Sequence, residues 1–81
     1  MNRIVLQEVP FNAVLLYQDN AFKLLELQKE VAMKSAPIVW AKDNRCEIKV
    51  TTTIDNETGD GSIVWYAALT AIQQTEFALR F

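Results

Sequence analysis

The chain has no histidine. Its absence removes the commonest general base, the commonest metal ligand and any Ser-His or Cys-His nucleophilic pair. There is one cysteine, Cys46, so no disulfide closes within the chain, as expected of a protein in a reducing compartment. The two glycines, Gly59 and Gly61, do not suffice for a phosphate-cradling loop of the P-loop or dinucleotide type. Long hydrophobic runs are missing as well. The longest uncharged stretch, Gly61 to Thr75, has fifteen residues, among them one Ser, two Thr and two Gln. A spanning helix needs about 20 mainly apolar residues. At the N-terminus, MNRIVLQEV reaches Gln7 and Glu8 before any signal-peptide core forms. These absences lead to the expectation of a cytoplasmic protein that does not engage a membrane.

A basic stripe is also lacking. Eight Lys and Arg stand against ten Asp and Glu, for a net charge of −2. The densest cationic group, Lys42, Arg45 and Lys49, is interleaved with Asp43 and Glu47. Binding to a phosphate backbone is normally marked by a basic face, so no nucleic-acid partner is expected.

What the sequence does contain is apolar residues in a short chain. Eighty-one residues make a single domain, 1–81, and 51% of them are hydrophobic while 22% are charged. This composition excludes disorder. A small chain with so much apolar surface points to burial against a second chain, and the expected partner is another copy, as a homodimer.

Residues 3–9, RIVLQEV, read as a strand ending at Pro10. From Asn12 to Lys34 the apolar residues fall near a 3.6 period, with Asn12 as the N-cap. Asp19-Asn20 is a poor mid-helix pair, so the helix spans about 12–34, or 20–34 with a break. Ser35-Ala36-Pro37 ends it. IVWA (38–41) and CEIKVTTTI (46–54) read as a hairpin around Lys42-Asp43-Asn44-Arg45. In the second run, Cys46, Ile48, Val50, Thr52 and Ile54 alternate with polar residues, which marks a dry face. Residues 63–66 are β-prone, and Phe77, Leu79 and Phe81 alternate like a strand, with 67–74 open to helix or bent strand. The fold class expected is therefore α+β: a two-layer domain with an antiparallel sheet of four or five strands and one helix on one face.

Among chemical candidates, the segment DNETGDG (55–61) fails the EF-hand count. Its sixth position is Asp60 and its twelfth is Tyr66, where glycine and glutamate are required. It reads as a turn, so no metal is assigned to Asp55, Glu57 or Asp60. The sequon Asn56-Glu57-Thr58 matters only in a secreted protein. Cys46, on the dry face, reads as a small core hydrophobe. Glu26 and Glu30, one helical turn apart, read as a solvated helix face. A minimal metal-assisted enzyme built on these carboxylates is the weakest reading; no catalytic residue and no cofactor are assigned.

The aromatics carry the remaining signal. Trp65 and Tyr66 are adjacent, so on a strand they face opposite ways, and one of them stands outside the core. Trp40, Trp65 and Tyr66 are the expected partner- or ligand-binding residues, with Trp40 sharing a sheet face with one of the other two. The functional expectation is a non-enzymatic protein–protein interaction module, inhibitor- or adaptor-like, that self-associates through a sheet face or edge strand and engages another protein. The alternative is a small-molecule binding protein with an aromatic-lined pocket between helix and sheet or at a dimer seam.

Overall fold

A computed structural model describes residues 2–81. The chain runs β1 (Asn2–Asn12), α1 (Ala13–Asp19), α2 (Phe22–Met33), α3 (Ala36–Asp43), β2 (Ile48–Ile54), β3 (Asp60–Leu69) and α4 (Ala71–Arg80). The sheet is antiparallel with strand order β1-β3-β2. The class is α+β, but the expected four or five strands and one helix are corrected to three strands and four helices among the described residues.

Each correction has a local cause. The expected helix is divided where Asp19-Asn20 weakens it: Asn20 takes a left-handed conformation (φ 52°) and caps α1. Asn12 is the N-cap, accepting from the Leu15 amide at 3.1 Å. Residues 38–41 are not a strand. Pro37 lies in the first turn of α3, where a missing N–H costs nothing, and Ile38 and Ala41 share the buried face of that turn. A four-residue apolar run does not distinguish strand from buried helix. The tail is helical from Ala71 because Thr70 and Gln73 form a capping box. The Thr70 hydroxyl accepts from the Gln73 amide at 3.2 Å, and the Gln73 side chain accepts from the Thr70 amide at 3.1 Å. The hairpin is β2–β3, closed by residues 55–59, not one centred on 42–45.

β3 is the central strand. Its dry face, Ile63, Trp65, Ala67 and Leu69, is buried beneath Ile38, Trp40 and Ala41 of α3 and Ala32 of α2. On β1, Val9 lies opposite Ile63, and a bulge between Val5 and Gln7 lets Leu6 join the same core. β1 continues past Pro10 to Asn12 because it is an edge strand, where a proline has no inner ladder to interrupt.

The helix layer does not cover the whole sheet. Ile48 of β2 is half-buried, but Val50 is 55% exposed and Ile54 51%. The molecule measures 45 × 24 × 19 Å, with a radius of gyration of 14.5 Å, whereas a compact chain of this length has about 12 Å.

Trp65→Ala removes the largest side chain of the central strand and is expected to cost about 3–5 kcal/mol, a large share of a small domain's stability. Thr70→Ala removes only a cap and should cost about 1 kcal/mol. Urea denaturation followed by far-ultraviolet circular dichroism measures both; equal losses would contradict this ranking.

Candidate functional site

The hairpin turn is built from within. The Asp55 amide donates to the Asp60 carbonyl at 2.7 Å and the Gly59 amide to the Asp55 carbonyl at 2.8 Å. The Asp55 carboxylate accepts from the Glu57 amide at 2.9 Å. The Asn12 side-chain Nδ2 donates to the Asp60 carboxylate at 2.7 Å, and the Ala13 backbone amide to the Gly59 carbonyl at 2.7 Å. Gly59 has φ +78°, and a Cβ there would meet a Val14 methyl at 2.9 Å. The acidic segment thus fastens the hairpin to the start of α1. No group of three or more Cys, Asp or Glu among the described residues is placed to hold a metal ion.

Cys46 precedes β2 and is half-buried against the core. Desolvation pushes its thiol pKa up, the opposite of what an activated nucleophile needs. Glu26 pairs with Lys29 at 3.4 Å on an exposed helix face.

Trp40 shares no sheet face with Trp65 or Tyr66. Trp40 is on α3, not on a strand, and its ring packs against Phe77 of α4 at 5.5 Å between centroids. Trp65 is 2% exposed beneath the helices. Tyr66 faces the other way and is half-buried, with the Arg3 guanidinium 4.5 Å above its ring. Both tryptophans complete the core, and Tyr66 is the large aromatic of the β3 pair left outside it.

Around Tyr66 the fold gathers charge that is dispersed in sequence. Arg3 from β1, Arg45 from the α3–β2 connection and Lys49 from β2 line a hollow of about 420 Å³, with Glu47 as the opposing charge. Arg45 is held there in a left-handed backbone conformation (φ 58°).

Two apolar surfaces lie on the helix side. One is a groove of about 720 Å³ between α2 and β1, lined by Val9, Pro10, Leu24, Leu27 and Val31. None of Trp40, Trp65 and Tyr66 lines it. The other is β2 itself. Its inner edge pairs with β3, its outer edge has no strand partner, and Lys49 to Ile54 are exposed. The alternation in β2 was legible; that the chain leaves Val50, Thr52 and Ile54 uncovered was not. The one available signal was the run Thr51-Thr52-Thr53-Ile54, β-branched throughout and without a proline to blunt an edge.

No helix among the described residues is long and apolar enough to cross a membrane. No protein-family model, curated protein or solved structure matches the chain.

With both indoles buried, tryptophan emission should be blue-shifted and weakly quenched by iodide, moving red only on unfolding. Strong quenching in the native state would contradict the placement of Trp65. Cys46 should react with a thiol reagent several-fold more slowly in the folded protein than in urea at pH 8, roughly as its raised pKa and partial burial dictate. Equal rates would contradict it.

Proposed function

We propose that this protein is a non-enzymatic interaction module that self-associates through the outer edge of β2. One observation carries the reading: the strand with the chain's clearest dry face presents that face and its unpaired edge to solvent together. An exposed row of backbone donors and acceptors is a template for another strand. The two edges of the sheet differ. β1 carries a bulge at Leu6 and a proline at position 10, both of which blunt strand addition. β2 carries neither.

The exposed area supports the same reading. A compact chain of 9.2 kDa exposes about 4,900 Å²; this one exposes 5791 Å². The excess, about 900 Å², is close to what each partner contributes to a standard protein interface. The inhibitor- or adaptor-like role and a cytoplasmic setting belong to this proposal; the open binding edge supports the first, and the free thiol of Cys46 is in keeping with the second.

The alternative is a small-molecule binding protein, and the α2–β1 groove supports it. Its volume of about 720 Å³ lies within the range of ligand sites, and its lining is aliphatic rather than aromatic.

Light scattering should give the mass of a dimer at micromolar concentration. Val50→Lys and Ile54→Lys place a charge on the exposed dry face, where the isolated subunit tolerates it. Each should shift the protein to monomer with a far-ultraviolet spectrum unchanged. A wild-type monomer at high concentration, or dimers unaffected by both variants, would refute this use of β2.

A further inference from the structure

We infer that the dimer is an antiparallel β2–β2 pair about a two-fold axis at Thr51, in which the acidic hairpin turn of each copy lies beside the cationic end of the other. The inference rests on the self-association proposed above and adds its register and its electrostatic contact.

The register follows from the pleat. Residues directly opposite in an antiparallel pair project to the same sheet face. A slip of one residue would set the Val50 and Ile54 side of one copy against the Lys49 and Thr53 side of the other. Among the registers that match dry face to dry face, the one placing Thr51 opposite itself uses all of Ile48–Ile54; the others shorten the ladder. It sets Ile48 beside Ile54 of the partner subunit and Val50 beside Thr52 of the partner subunit. The two exposed apolar residues of β2 thereby gain cross-strand neighbours.

The charge pattern supports the same axis. β2 begins near Arg45 and Lys49, which face the hollow beside Arg3 and form no ion pair among the described residues. It ends at the turn holding Asp55 and Glu57, which form none either. Within one subunit these groups lie at opposite ends of a seven-residue strand. Antiparallel pairing reverses the partner and brings each turn alongside the other's cationic end. The same register sets Glu57 opposite Arg45 of the partner subunit and Asp55 opposite Glu47 of the partner subunit; the second is a like-charge pair, offset by Lys49 of the partner subunit, which lies diagonal to Asp55. Symmetry makes the contact twice, so a modest exposed attraction counts double.

Charge exchange and cross-linking test the inference. Arg45→Glu and Glu57→Arg should each raise the dimer Kd about tenfold, since each change reverses two symmetric contacts. Combining them should restore the Kd to near the wild-type value. In a Cys46→Ser background, Thr51→Cys should form an intermolecular disulfide under mild oxidation, and Thr53→Cys should not. A dimer by light scattering that cross-links no faster through Thr51→Cys than through Thr53→Cys overturns the register while leaving self-association standing. A double charge variant no tighter than the single ones overturns the electrostatic contact. A monomer at every concentration removes both readings.

Discussion

The rest of the structure depends on the burial of one face of β3. Ile63, Trp65, Ala67 and Leu69 alternate along the central strand and are all sealed from water. Covering them requires a helix layer over a strand that is itself flanked on both sides. α2 and α3 supply most of it, and both pack against β1. A chain of 81 residues that builds this cover over β1 and β3 has little left to lay over β2. Most of one face of β2 therefore has the sequence of a buried surface without the burial.

This asymmetry explains why part of the fold was legible and part was not. β2 was readable because alternation is a local property, and the Asn12 cap and the weakness at Asp19-Asn20 are local too. The opposed directions of Trp65 and Tyr66 follow from the pleat alone. IVWA failed because its four residues match buried strand and buried helix equally well; the choice depends on Ile38 and Ala41 meeting the sheet, which is tertiary information. The tail failed differently. Thr70 and Gln73 carry the spacing of a capping box, but the alternation of Phe77, Leu79 and Phe81 competed with it. Leu79 is 83% exposed, so its place in that alternation reflected no buried face.

The candidate site was less legible than the fold. Trp40, Trp65 and Tyr66 stood out by residue type, yet packing consumes both tryptophans. Arg3, Arg45 and Lys49 lie as many as 46 positions apart and meet only because β1 and β2 flank β3. Long-range proximity of this kind has no signature in periodicity or spacing. The exposure of Val50 and Ile54 is likewise a property of what the helices fail to reach.

The two sheet edges also decide which assembly is open to the protein. A sheet with two receptive edges would add copies at both and grow without limit, the route to open fibres. Here β1 is interrupted by its bulge and by Pro10, and only β2 remains receptive. An interface made by the same strand on both subunits is isologous and consumes its own edge, so assembly closes at two. The bulge that lets Leu6 reach the core thus also blunts the β1 edge. In this respect the irregularity of β1 and the regularity of β2 are complementary: one blunts its edge against strand addition, and the other leaves open the edge on which the proposed dimer would form.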